Sequence, residues 1–441
     1  MTPSETTVYK LVIVDRETQR IMCIPRPTGV YLPVASLDPF VRRARALTQE
    51  IARRYRLSTI QLAVLPGDEG EVSYVVHELL DQQSDVSLNH VFITLSEISE
   101  KDLPAPPRST IQAILDGAAT GLGRFARLGW TEKLRLRLNA DTITNLRQFN
   151  CGNNFCLLSM NCDGQRLWFK AVGEPNTREY ALTLALARQF PQYLPAVRVA
   201  VPEWNAWVAE EVAGVALNEV RDPAAWENAL AVVAIMQRHT AESTAVLSAA
   251  GAVDWTLSRL LSLLDAFFLE AKRAMQAQTS TRAATLTPQE LDLLNASLQS
   301  MLLETISSGI PETLIHGDIG HGNVIVSPHG PVFLDWAETY IGHPFISSEH
   351  LLADLDQTCG LSRAQKVALR LHYARYWADY IGSKELNRVV AIAPALAAFA
   401  YAVMAWERNR YRAFPERAWP LIRSMVRRTK HELMQAEEVA A

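Results

Sequence analysis

In the stretch LIHGDIGHGNVIVSPHGPVFLDW, residues 314–336, two short apolar runs end in Asp318 and Asp335, and Asn323 opens the run between them. NVIV (323–326) and PVFLDW (331–336) predict a β-hairpin joined by SPHG. In an antiparallel pair the start of one strand lies beside the end of the next, so Asn323 and Asp335 should converge. Asp318, in the loop just before, can reach the same volume. Magnesium prefers carboxylate, amide and water oxygens and keeps several waters. Asp335 and Asn323 suit it, with room left for phosphate oxygens. Asp318 would then be the base or the orienting group for an attacking hydroxyl. Such a transfer depends on in-line positioning and charge neutralisation more than on covalent chemistry. Gly, Asn and Asp are also the ordinary vocabulary of tight turns, and HGD or LDW alone says little. The two together, separated by an Asn-started apolar strand, say more than a turn does.

The rest of the chain must position those three residues. Its 441 residues exceed one modest core and predict two or three domains. Apolar content of 49% with 20% charged residues fits a folded globular chain rather than a disordered one. The formal net charge of -4 argues against a nucleic-acid partner, apart from one basic stretch, VRRARALTQEIARRYR (41–56). The opening MTPSETTVYK carries no leader pattern, and AIAPALAAFAYAVMAW (391–406) reads as too short and Ala-rich to span a membrane. The five cysteines, without paired spacing, suggest a reducing, cytoplasmic setting. Cys151, Cys156 and Cys162 lack the spacing and the fourth ligand of a zinc site and read as strand thiols.

Strand patterns at 8–14, 21–24, 60–65, 72–79 and 90–95, with a helix started by Asp38-Pro39 and continued through Phe40, Ala44, Leu47 and Ile51, predict a small α+β unit. Three prolines in KDLPAPPRST (101–110) mark its end, and 111–140 reads as one or two helices around GLGRFARLGW. Strands follow at 143–150, 156–160 and 166–172, then a helix for which Asn176 can cap with Glu179 at the third position. VRVAVPEWNAWVAEEVAG (197–214) reads as strand, turn, strand. Helices dominate after Asp222-Pro223, with a start signature at Thr287, Pro288 and Glu290. The organisation expected is 1–110, a small α+β domain; 111–212, linker helices and a β-rich lobe; and 213–441, a helical lobe.

HGD-IGHG-N followed by LDW resembles the aminoglycoside/choline phosphotransferase-like family, whose fold is like that of protein kinases. The resemblance covers roughly 130–380. It implies an α+β, bilobal kinase-like fold, with a small β-rich lobe and a large helical lobe behind the front domain. It implies ATP and Mg2+ as cofactors and a small-molecule hydroxyl as acceptor; the charge and the lack of a spanning apolar run lead to the expectation of neither nucleic acid nor membrane as partner. On this likeness Asp318 is catalytic, Asn323 and Asp335 hold magnesium, and His316 is structural. Lys170 in RLWFKAV would contact ATP phosphates, steadied by Glu179, whose other reading is the capping box, with Glu174 as substitute. Gly152, Asn153 and Asn154 sit where a phosphate-covering hairpin turn would be and could offer backbone N–H groups, although the loop has one glycine. Glu210 to Val212 would meet the adenine edge through their backbone.

The front segment weakly resembles a Nudix-type domain. Its helix offers Glu50 among Arg42, Arg43, Arg45, Arg53 and Arg54 rather than a glutamate cluster, so no hydrolase activity is expected. Those arginines could meet an anionic ligand or simply face solvent. For the acceptor, Glu338, Glu349, Asp354, Asp356 and Asp379, with the aromatics of RLHYARYWADYIG (370–382), could suit an amino sugar or amino alcohol; helix packing and surface charge explain them as well. The competing function is a nucleotide-binding or interaction protein that keeps the fold with little turnover.

Overall fold

The structure is a computed structural model, which describes residues 6–38, 41–67, 72–82, 89–118, 121–353 and 359–440, without the side chains of 321, 439 and 440. Pro39, Phe40, Asp354 and Asp356 lie outside the described residues. The chain divides into two compact units: Met1–Tyr180 with Ala196–Glu211, and Ala181–Pro195 with Val212–Ala441.

The first unit opens with β1 (Thr7–Asp15), β2 (Arg20–Arg26), β3 (Gly29–Tyr31), β4 (Val34–Leu37), helix α1 (Arg43–Tyr55), β5 (Leu57–Pro66), β6 (Val72–Gln82) and β7 (Val91–Ile93). These strands form one sheet in the order β3-β2-β1-β6-β5, with β4 on β1 and β7 on β2; β1 and β6 run parallel. Helix α1 buries Ala44, Leu47, Ile51 and Tyr55, one stripe at helical spacing, and turns Arg45, Arg53 and Arg54 outward, while Arg43 lies half-buried over Tyr9. Its only acidic residue, Glu50, is held by Arg53, and nothing in this sheet adds support to the Nudix likeness.

Helix α2 (Ala105–Leu115) begins inside the proline-rich stretch that reads as a boundary. Pro104 caps it, and Pro106 and Pro107 fall in its first turn, where a missing N–H has no intrahelical partner to lose. The GLGRFARLG segment is not helical; Gly121, Gly123 and Gly129 take positive φ, and α3 starts only at Trp130 (Trp130–Leu138). A five-stranded sheet follows, in the order β11-β12-β10-β9-β8, from β8 (Ile143–Cys151), β9 (Cys156–Cys162), β10 (Gln165–Ala171), β11 (Val197–Val201) and β12 (Ala206–Glu210). The two sheets share one hydrophobic core: Val12, Val76 and Ile111 cluster with Leu158, Phe169 and Val208. Gln148 of β8 also exchanges two hydrogen bonds with the Gln61 backbone of β5. Helix α4 (Arg178–Gln189) leaves the sheet, and the division between the units passes through it at Tyr180.

The second unit holds β13 (Val215–Ala216), α5 (Pro223–Thr240), α6 (Thr244–Ala249), β14 (Val253–Asp254), α7 (Leu257–Gln276), α8 (Pro288–Ser307), β15 (Thr313–Ile315), β16 (Val324–Ser327), β17 (Gly330–Phe333), β18 (Tyr340–Gly342), α9 (Phe345–Leu351), α10 (Arg363–Ala374), α11 (Ser383–Asn409) and α12 (Trp419–Ala440). Asp222 accepts the Ala224 N–H at the start of α5, and Thr287 with Glu290 closes a capping box on α8, as their spacing predicts. Helix α11 is longer and more apolar than the run 391–406 suggests. By length and composition it could cross a membrane, yet 83% of its apolar window is buried within the protein. The architecture is a bilobal α+β fold, β-rich at the N-terminal side and helical at the C-terminal side, of the protein-kinase-like kind.

Candidate active site

Strands β16 and β17 pair antiparallel from Val324↔Phe333 to Ser327↔Gly330, the hairpin that the alternation of apolar runs and SPHG predicts. One further backbone bond extends the ladder beyond Val324: Leu334 N–H donates to the Asn323 carbonyl at 2.8 Å. Asp335 therefore follows directly on the residue paired with Asn323. It adopts a left-handed backbone, φ 61°, which Asp tolerates better than most side chains. His316 fixes the same corner. Its Nε2–H donates to the Leu334 carbonyl at 2.8 Å, and its ring lies 4.3 Å from that of Trp336.

Asp318 leaves β15 through Gly317, whose φ is +79°. A Cβ on Gly317 would sit 2.1 Å from the Glu338 carbonyl oxygen, so the close approach of these two backbones requires glycine. Asn323 closes a short 3-10 turn, His321–Asn323, and its Nδ2 donates to the Asp318 carbonyl at 2.9 Å and to Asp318 Oδ2 at 3.3 Å. Burial, and after it the charges of Asp335 and Glu338, hold the Asp318 carboxyl above its ordinary value; the Asn323 bond and Arg408 pull it down. Asp318, Asn323 and Asp335 thus share one volume.

This donor set fits a hard divalent cation. The charges of Asp335 and Glu338 both act on Asp318, and Arg408, paired with Glu338 at 2.7 Å, acts on it in the opposite sense. With Nδ2 spent on Asp318, the Asn323 carboxamide has its oxygen for a metal. Among the described residues no three His, Cys, Asp or Glu side chains converge as a cage; a carboxamide falls outside that count, and magnesium commonly keeps waters and phosphate oxygens instead.

In the first unit, Lys170 stands on β10 opposite Leu157 and Trp207. Its Nζ lies 2.5 Å from Glu179 Oε1 and 5.8 Å from the centre of the Trp207 ring. The Glu179 side chain is 2% exposed, so its carboxylate is a buried anchor for the lysine. Because α4 begins at Arg178, Glu179 is its second residue rather than the third that a box with Asn176 would need. Of the two sequence readings of Glu179, the ion pair with Lys170 is present in the fold. Trp207 has no signal in the sequence beyond its place on an apolar strand.

Cys151 and Cys156 are strand partners at the end of β8 and the start of β9, and residues 152–155 turn between them. Gly152 donates its N–H to the Phe155 carbonyl at 2.8 Å, which removes that amide from any phosphate contact. The backbone of Asn153 rests on Gly123, and Arg124 N–H donates to the Asn153 carbonyl at 3.0 Å. Asn154 packs its Cβ where a side chain on Gly173 would go, at 2.7 Å. The turn is therefore braced by two glycines outside it, one of them in the segment that reads as helix. Glu210 donates its N–H to the Ala196 carbonyl and pairs its carboxylate with Arg198 at 2.8 Å. Val212 is the first residue of the second unit after the division at Glu211.

The three acidic residues considered for the acceptor that lie among the described residues are not bare. Glu338 pairs with Arg408, Glu349 with Arg370 at 2.5 Å, and Asp379 with Arg238 at 2.9 Å. Tyr373 and Trp377 are buried in the core with Phe345. The buried groups among them, Glu349, Tyr373 and Trp377, support the fold, and Asp379 is surface charge.

Residues 173–376, somewhat less than half of the chain, match the profile of the family described as phosphotransferase enzyme family. No curated protein matches the chain. Solved structures similar to it include a Plasmodium vivax ethanolamine kinase, at 12% identity and TM-score 0.45, covering 67% of this chain and 82% of that one. The choline kinase LicA from Streptococcus pneumoniae is similar at 12% identity and TM-score 0.42, covering 68% and 98%. An aminoglycoside phosphotransferase from Alicyclobacillus acidocaldarius is similar at 14% identity and TM-score 0.42, covering 67% and 92%.

Proposed function

We propose that the protein is an ATP- and magnesium-dependent phosphotransferase that phosphorylates a hydroxyl of a small molecule. The observation that carries this reading is the meeting of Asp318, Asn323 and Asp335 at one corner of the β16–β17 hairpin. The family match over 173–376 supports it. So does the Lys170–Glu179 ion pair, the arrangement that a phosphate-contacting lysine needs.

In this reading Asp335 and the Asn323 oxygen hold the metal, which when bound neutralises charge on the phosphate oxygens. Lys170 contacts the phosphates, and Glu179 fixes its direction. Asp318 orients the acceptor hydroxyl and takes its proton. A raised carboxyl pKa suits a group that must accept a proton during transfer, since a base close to the operating pH is the more effective one. His316 positions rather than reacts, by holding Leu334 and hence Asp335. The braced turn at 152–155 covers the phosphates, through Asn153 and Asn154 rather than the Gly152 amide. Backbone groups from Glu210 to Val212 meet the adenine, other than the N–H groups of Glu210 and Glu211, which Ala196 and Arg166 already take.

The acceptor class reads best as a hydroxylated small molecule. An amino sugar or amino alcohol is the narrower proposal, and the arginine partners of Glu338, Glu349 and Asp379 leave it less acidic lining than the sequence suggests. Five free, buried thiols support a reducing, cytoplasmic setting. The test is ADP release on adding hydroxylated amines and sugars to the full-length protein with ATP and magnesium. Acceptor-dependent turnover that is lost in Asp318→Asn supports the reading, and turnover unchanged in that variant contradicts it.

A further inference from the structure

A cleft of about 630 Å3 opens in the first unit between α1, the start of β5, and β8. It shares no residue with the candidate active site. Arg45 and Arg53 come from α1, Arg56 follows its last residue, and Arg147 comes from β8. The spacing 45, 49, 52–53, 56 puts one stripe of α1 on the cleft, opposite the stripe that buries Ala44, Leu47 and Ile51. A purely solvated face would look onto water; this one looks across a cleft at another arginine and an aromatic ring.

The charges in the cleft do not cancel. Arg53 is held by Glu50 through two bonds, 3.0 and 2.8 Å. Among the described residues Arg45, Arg56 and Arg147 have no ion pair, and Asp81 is the one carboxylate in the lining. Against that one carboxylate, three guanidinium groups without an ion pair among the described residues leave the lining net positive, in a chain whose net charge is -4. Arg56 also holds a left-handed backbone, φ 57°, at a helix end where Gly or Asn costs less. Arg45 lies over the Phe149 ring, 5.3 Å from its centre, so one wall is a cation on an aromatic face. The hydroxyls of Thr48 and Ser58 add neutral hydrogen-bonding groups.

We propose that this cleft binds a phosphorylated small molecule of about mononucleotide size or smaller. Its phosphate sits among Arg45, Arg56 and Arg147, and its organic part lies against the edge of Phe149, whose ring also meets Arg45 and Trp168. Guanidinium forks match phosphate oxygens two at a time, and the cavity volume is in the ordinary range for small ligands. Nothing in the proposal requires phosphotransfer at the other site, so either can fail alone.

The experiment is calorimetry on the full-length protein with pyrophosphate and, separately, AMP, in EDTA so that magnesium-dependent binding is silent. The expected result is one equivalent of at least one probe bound, weakened about 10-fold or more in Arg45→Glu and in Arg147→Ala. Binding in Asp335→Ala should equal that of the wild type. Both arginines are exposed, so these variants leave the core intact. Neither probe bound at millimolar concentration, or equal binding in the arginine variants, would overturn the proposal. So would binding of a single-stranded RNA oligonucleotide with neither probe bound.

Discussion

The Asn323 carboxamide donates from one nitrogen to both the backbone carbonyl and the carboxylate of Asp318, at 2.9 and 3.3 Å. One side chain thereby sets the direction of the group proposed as base and leaves its own oxygen for a cation. Asp318→Asn keeps the shape and removes the proton acceptor. It should lower kcat by about 10²–10⁴-fold while magnesium-ATP affinity stays close to that of the wild type. Steady-state kinetics beside calorimetry separate the two. Equal losses in turnover and nucleotide affinity would move Asp318 from base to metal ligand.

Lys170→Met should weaken nucleotide binding and also destabilise the fold. The carboxylate of Glu179, 2% exposed, would be left buried without its lysine. Breaking one side of a buried pair costs roughly 3–5 kcal/mol. Lys170→Met with Glu179→Gln should regain most of the stability and none of the nucleotide affinity, measured by urea unfolding and ATP titration. Recovery of affinity in the double variant would remove Lys170 from the phosphate site.

Much of this site was legible in the sequence because it is local. The hairpin that joins Asn323 to Asp335 is written in two apolar runs and a turn, and Lys170 is a lone lysine after Phe169 on an apolar strand, nine residues before its partner. What was not legible depends on residues distant in the chain. Glu338, Glu349 and Asp379 look uncompensated until Arg408, Arg370 and Arg238 arrive from elsewhere in the fold. The apolar residues of GLGRFARLGW suggest a helix, yet Gly123 is needed to let the Asn153 backbone approach. The prolines at 104–107 read as a boundary, although proline is well placed in a first helical turn and the core continues across them.

Gly317→Ala tests the close approach behind Asp318. A Cβ there would meet the Glu338 carbonyl oxygen at 2.1 Å, on a backbone with φ +79°. The left-handed conformation alone costs a non-glycine residue roughly 1–3 kcal/mol, and the contact adds to it. Thermal unfolding should show the loss, and phosphotransfer should fall further than stability accounts for, because Asp318 is the next residue. A variant as stable and active as the wild type would show that this backbone has room to shift.

Glu312 gives a pH dependence. Burial chiefly, with the charge of Asp254 behind it, raises its carboxyl from an ordinary 4.5 to about 7, against the lowering effect of the Leu257 N–H. A raised carboxyl binds its proton more tightly in the folded state. Its contribution is fully present below about pH 4.5 and is lost as pH rises through 7. The whole loss is about 3 kcal/mol at the size of that shift. Glu312→Gln removes the charge, so it should gain stability over the wild type at pH 8 and little or nothing at pH 4.5. Urea unfolding at the two values checks this, and a variant less stable at pH 8 would contradict it.

The central claim is that Asp335, with Asn323, forms a magnesium-nucleotide site. Calorimetry of ATP binding with and without magnesium, on the wild type beside Asp335→Ala, tests it most directly. Binding by the wild type should depend on magnesium and should weaken by at least about 10-fold in the variant. Equal binding by both proteins, or no magnesium dependence in the wild type, would contradict it.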